Sequence, residues 1–153
     1  MTLSILAILI GIVAGLRPLT ALAAIAWGAW MGGIDLSEGW LSFLGYGWSP
    51  WVFSLAAITE FVVDKLRPEA GLSWRQRFFT RLGSGAICGA AIGSIGNLAI
   101  ECMGWGVAGA AIGVFASAWL LKRLAAVFGD ARPAGLVEDM LAIGGAAAAV
   151  AAL

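Results

Sequence analysis

The stretch from Leu3 to Gly33 constrains this chain more than any other: thirty-one residues of almost unbroken apolar sequence, with Arg17-Pro18 near the middle. At the rise of an α-helix such a run is roughly 45 Å long, against a bilayer hydrocarbon core of about 30 Å. One straight membrane-spanning helix does not fit. Proline lacks a backbone donor and clashes with the preceding turn, so a break is predicted at Arg17-Pro18, dividing the run into two short helical pieces. The break puts a guanidinium near membrane depth, where an arginine costs at least about 2.5 kcal/mol and by default marks a functional or ion-paired position. In the competing reading the helix is shifted so that Arg17 snorkels to one interface.

The rest of the composition agrees with a membrane protein. Of 153 residues, 61% are hydrophobic and only 12% charged, and no stretch is left over for a soluble domain, so residues 1–153 read as one integral-membrane domain. Nine basic residues balance nine acidic ones, which gives no case for nucleic-acid binding. The start, Met1-Thr2-Leu3, has no basic flank, so no cleavable signal peptide is expected. Cys88 and Cys102, placed together in one predicted apolar segment with no histidine in the chain, read as packing residues and not as a disulfide or metal site. No motif implies a cofactor, and no nucleophile or phosphate-binding pattern points to an enzyme.

An all-α polytopic bundle of about five spans is expected, the first of them broken. Residues 34–50 read as an acidic, aromatic interfacial loop with Asp35 and Glu38. Pro50 suits the first turn of a second span that runs to about Leu66 and carries Glu60, Asp64 and Lys65. Between Lys65 and Arg81 five cations face the single acid Glu69, a bias that predicts a cytoplasmic loop. Within it, Ser73 is expected to cap a brief interfacial helix containing Trp74, Phe78 and Phe79. The third span, about Leu82 to Met103, has Gly85, Gly89 and Gly93 at four-residue spacing with Asn97 next. The fourth, about Trp105 to Val127, repeats the device with Gly109, Gly113 and Ser117. Small residues at this spacing let helix backbones approach closely, so the two spans are expected to pair through a tight turn at residues 103–106, with a homodimer interface as the alternative use of the glycines. Lys122-Arg123 close the fourth span, and a last segment runs from Ala134 to Leu153.

Glu60 lies ten residues beyond Pro50, roughly 15 Å into its span, at a depth similar to that of Arg17. The two are predicted to pair, because an unpaired buried charge is far costlier than a paired one. Asp64 is one turn from Glu60 on the same face. Glu138-Asp139 follow Pro133 by one to two turns, where a helix N-terminus favours negative charge. Adjacent positions diverge by about 100°, so one of them is expected to face the bundle while Lys122 or Arg123 neutralises the other. Arg-Pro recurs at residues 17–18, 67–68 and 132–133, and counting the broken run as two elements gives three apolar pieces per half, the outline of an inverted repeat.

In Gly15-Leu16-Arg17-Pro18, Glu60/Asp64/Lys65, the Arg81 to Gly93 entry, Lys122-Arg123 and Glu138-Asp139, the chain resembles a small bacterial integral-membrane family known as domain of unknown function 4126. The resemblance implies a multi-pass protein of the bacterial inner membrane, surrounded by lipid, and carries no activity. Two functions follow from the charges. One is a small transporter or channel-like protein for an anionic or proton-coupled solute, using Arg17, Glu60, Asp64, Glu138 and Asp139. The other is a structural or accessory subunit that binds a larger membrane complex through its tryptophan-rich outer edge and glycine faces, the ion pairs then only holding the bundle in register. A lipid-modifying enzyme built on the paired carboxylates is the weaker third.

Overall fold

The computed structural model describes residues 3–37, 39–66, 73–128 and 131–152. Among them there are seven α-helices and no strand: α1 (Leu3–Leu16), α2 (Pro18–Trp30), the short α3 (Ser42–Gly45), α4 (Ser49–Leu66), α5 (Trp74–Gly93), α6 (Ala99–Phe128) and α7 (Ala131–Ala151). Two helical stretches, Trp74–Gly96 and Ala99–Leu124, are long and apolar enough to cross a membrane, fewer than the five spans expected, while α1 and α2 are shorter apolar helices. Glu38 and residues 67–72, which hold the second Arg-Pro pair and part of the basic loop, lie outside the described residues.

The first run breaks at Arg17. A residue before proline is pushed out of the helical region into extended backbone, and proline itself suits a first helical position. Arg17 accordingly has φ −140° and ψ 102°, and α2 starts at Pro18. The two halves then double back. Gly11 of α1 meets Gly106, and Gly15 meets Ala110 and Gly113, so α1 runs parallel to α6. Gly145 lies against Val13, and Asp139 bonds Arg17, so α1 runs antiparallel to α7. Trp27 meets Trp51 and Ser54 while Arg17 meets Asp64, so α2 is antiparallel to α4. α2 therefore returns to the end of the bundle from which α1 came, and residues 3–30 form a helical hairpin with Arg17 at its tip. Gly32, at φ +83°, closes α2, and the Gly33 N–H donates to the Gly28 carbonyl at 2.9 Å.

Glycine sets the packing of α1, α5 and α6. A Cβ on Gly89 would strike the Cys102 carbonyl, one on Gly106 the Gly85 carbonyl, one on Gly109 the Ile8 carbonyl and one on Gly113 the Ile12 carbonyl. α6 thus presents Gly106 to α5 and Gly109 and Gly113 to α1, and backbone meets backbone on both sides. Gly85 and Gly93 are equally closed, the first by Ala110 and Gly106 and the second by Leu98 and Cys102. These contacts are all within one chain.

Two boundaries differ from expectation. α5 and α6 are joined by a 3-10 turn at Ser94–Gly96 and by Asn97 in the left-handed conformation, φ 57°, so the expected turn at residues 103–106 is helix and Asn97 is an exposed linker residue. Asn97 stops the helix because asparagine tolerates left-handed backbone that most residues resist. Consequently Cys88 belongs to α5 and Cys102 to α6, both buried and unbridged. Ser73 caps α5 itself: its hydroxyl accepts from the Gln76 N–H while the Gln76 side chain accepts from the Ser73 N–H, and Trp74, Phe78 and Phe79, expected in a brief interfacial helix, belong to α5. In the loop after α2, Ser37 hydrogen bonds hold the Asp35 carboxyl below the usual carboxylate range.

Candidate functional site: a buried charge cluster at the hairpin tip

Arg17 is 6% exposed. Its Nε donates to Asp139 Oδ1 at 2.9 Å, and Nη2 lies 2.6 Å from the same oxygen. Nη1 bonds Asp64 Oδ2, and the guanidinium carbon stands 4.8 Å from the centre of the Phe61 ring. The hairpin tip is thus clamped from one side by α4 and from the other by α7.

The expected direct pair between Arg17 and Glu60 is replaced by these two bonds. Glu60 stays close enough to feel the Arg17 charge, but it accepts a hydrogen bond from the Leu19 backbone N–H, one of the donors left open where α2 starts. A carboxylate at that place also complements the positive end of the α2 dipole. Glu60 is one helical turn further from the α4 C-terminus than Asp64, level with α2 instead of with the tip. Its Oε2 is buried and has no partner among the described residues. At the break the Arg17 N–H still donates to the Val13 carbonyl at 2.7 Å, and the Ser84 hydroxyl donates to the Pro18 carbonyl at 2.8 Å.

Both acids of the adjacent pair on α7 are buried, Glu138 at 5% and Asp139 at 6% exposure, where only one was expected to face inward. α7 lies against α1 and α6 together, so two positions about 100° apart each find a different neighbour. Asp139 reaches Arg17, and Glu138 accepts from the Ser117 hydroxyl at 2.6 Å. Neither Lys122 nor Arg123 neutralises them. Both are exposed, and Arg123 stands over the Trp119 ring at 5.5 Å. The second cation is Arg81 of α5, within electrostatic reach of Glu138 and Glu60. In the sequence Arg81 reads as the end of the basic loop. Its helical continuity with the Ser73 cap carries it inward.

Among the described residues the cluster holds two guanidiniums, Arg17 and Arg81, against four carboxylates, Glu60, Asp64, Glu138 and Asp139. Asp64 is its open edge, with a side chain 44% exposed. No group of three or more His, Cys, Asp or Glu side chains able to hold a metal occurs among the described residues. Above the tip, toward the end where α1 begins and α2 ends, α2 and α7 part to leave an apolar groove of about 720 Å³ that starts at Thr20 and Ile143 and reaches Gly33 and Ala151. Comparison with protein-family models, with curated proteins and with solved structures gave no match, so the functional reading rests on this geometry.

Proposed function

We propose that the chain is a small multi-pass membrane transporter coupled to protons, with the cluster at the hairpin tip as its titrating centre. The observation that carries this reading is the carboxylate excess among the described residues: four acids stand against two guanidiniums, and Glu60 has a buried oxygen with no partner among them. Buried acids lacking a counter-charge favour taking up a proton. Arg17 is engaged by two carboxylates, which fits an anchor for the acids better than an open site for an anionic solute.

The membrane reading is supported by the outer surface. Leu9, Leu55, Ile58, Ile112, Phe115, Met140, Leu141 and Ile143 are all exposed, a larger apolar surface than a water-soluble monomer tolerates. In this reading α4, α5, α6 and α7 each cross once, and α1–α2 is a hairpin entering from the opposite face to the basic residues. α4 falls short as a span by composition because it carries Glu60, Asp64 and Lys65. Arg75, Arg77, Lys122 and Arg123 gather at one end, which the bias of basic residues assigns to the cytoplasm of a bacterial inner membrane.

The test is a pH jump on vesicles of the purified protein held on a solid-supported membrane. A carrier with a proton site gives a transient charge displacement that grows with protein amount and is abolished in Glu60→Gln. A folded wild-type protein that gives no transient removes the reading. The doubly bonded Arg17 also favours a second one, a structural subunit whose ion pairs fix the hairpin; it predicts a stable partner in mild-detergent purification, and a lone monomer counts against it.

A further inference from the structure

We propose that the groove between α2 and α7 binds lipophilic cations, an inference that rests on the transport reading and names its substrate class. The walls are apolar and mostly small: Ala24 and Trp27 on one side, Ala147 and Val150 on the other. At the floor are Thr20 and Ile143. Thr20 is three residues from Arg17 and Ile143 four from Asp139, so the floor lies one helical turn above the charge cluster. Thr20 is itself buried, and its hydroxyl has no hydrogen-bond partner among the described residues.

Charge decides the occupant. From Pro18 to Asp64 the sequence has four acids and no lysine or arginine, and from Pro133 to Leu153 it has two acids and no lysine or arginine. The groove is built from these two stretches. Asp35 follows its outer end at Gly33, and among the described residues the cluster below its floor holds four carboxylates and two guanidiniums. An apolar body bearing one delocalised positive charge meets apolar walls and an acidic field at both ends. An anion of the same shape meets the same walls and the wrong field. In a low-dielectric surrounding that difference is large, since charge interactions weaken far less there than in water.

The experiment compares two ions of matched shape and opposite sign, tetraphenylphosphonium and tetraphenylborate, by equilibrium dialysis of the full chain in detergent micelles with protein-free micelles subtracted. Saturable binding of tetraphenylphosphonium at least tenfold tighter than that of tetraphenylborate is expected. Ala147→Trp, which fills the groove, is expected to weaken it at least tenfold, while Ala148→Trp, on the exposed side of the same helix, leaves it unchanged. Equal binding of the two ions shows a space that only takes up hydrocarbon, such as a lipid chain, and overturns the proposal, as does the absence of saturable binding by a folded protein. Binding that survives Ala147→Trp places the site elsewhere and also overturns it. Failure of the transport reading is separate: phosphonium binding without pH-jump currents removes transport and keeps the groove, and currents without binding do the reverse.

Discussion

Arg17 and Asp139 are 122 residues apart in the chain and share a buried hydrogen bond of 2.9 Å that fastens the tip of the N-terminal hairpin to the last helix. Asp64 takes the opposite edge of the same guanidinium. One side chain thereby ties three separate parts of the sequence together at the point where the backbone is broken.

Removing Arg17 takes from Asp64 and Asp139 the cation they share. Breaking a buried pair from one side costs on the order of 3–5 kcal/mol, and Arg17→Gln is expected to lower the thermal unfolding midpoint accordingly. Adding Asp139→Asn to it is expected to cost much less than the sum of the two single changes, because the second change removes the charge stranded by the first. Additive losses would show that the pair is not coupled.

Glycines facing backbone differ from glycines facing outward. Gly89→Ala and Gly109→Ala each drive a methyl into a carbonyl of the neighbouring helix, whereas a methyl on Gly104 or Gly144 meets nothing within 4 Å. The first two are expected to destabilise by about 1–3 kcal/mol, and the second two to be neutral or slightly stabilising, as alanine is the better helix former. Melting of the four variants in one detergent checks the contrast.

The hairpin makes a topological prediction. Single cysteines introduced at Ser4 and Ala152, in a chain with Cys88 and Cys102 changed to Ala, are expected to react with an impermeant maleimide from the same side of the membrane, and one at Arg75 from the opposite side. A first run that crosses the bilayer once would instead put Ser4 and Ala152 on different sides.

Asn97 holds left-handed backbone between α5 and α6. Asn97→Gly is expected to be tolerated, and Asn97→Val to cost about 1–2 kcal/mol, since a branched side chain resists that conformation. A similar midpoint for both would mean that the linker adopts other backbone. Ser117→Ala, which removes the hydroxyl bonded to buried Glu138, is expected to cost about 1–3 kcal/mol in the same assay.

Much of the helical plan was legible because it depends on local chemistry. Pro18 breaks the first run whatever surrounds it, and the stretch from Ser49 to Leu66 carries its own start and stop. The α5–α6 linker was misplaced, because the break falls at Ser94–Gly96 and Asn97 while the glycine-rich stretch at residues 103–106 read as the turn. There the glycine serves contact between helices: Gly106 is the residue that α5 and α1 close upon.

Which charges meet was not legible. Depth along a helix put Glu60 level with Arg17, yet depth leaves rotation about the axis and neighbour identity open, and both came from packing. Asp64 and Asp139 reach the guanidinium, Glu60 is left to the Leu19 N–H, and Arg81 is drawn in from what reads as a surface loop. The sequence by itself determined an all-helical chain, the break at Arg17 and the small-residue faces, since these follow from proline sterics, hydrophobic runs and residue size. Only the tertiary structure decided that the broken run doubles back and that Glu60, Asp64, Glu138 and Asp139 gather near Arg17 and Arg81, because those features come from contacts between helices far apart in the chain, whose net energies no local pattern encodes.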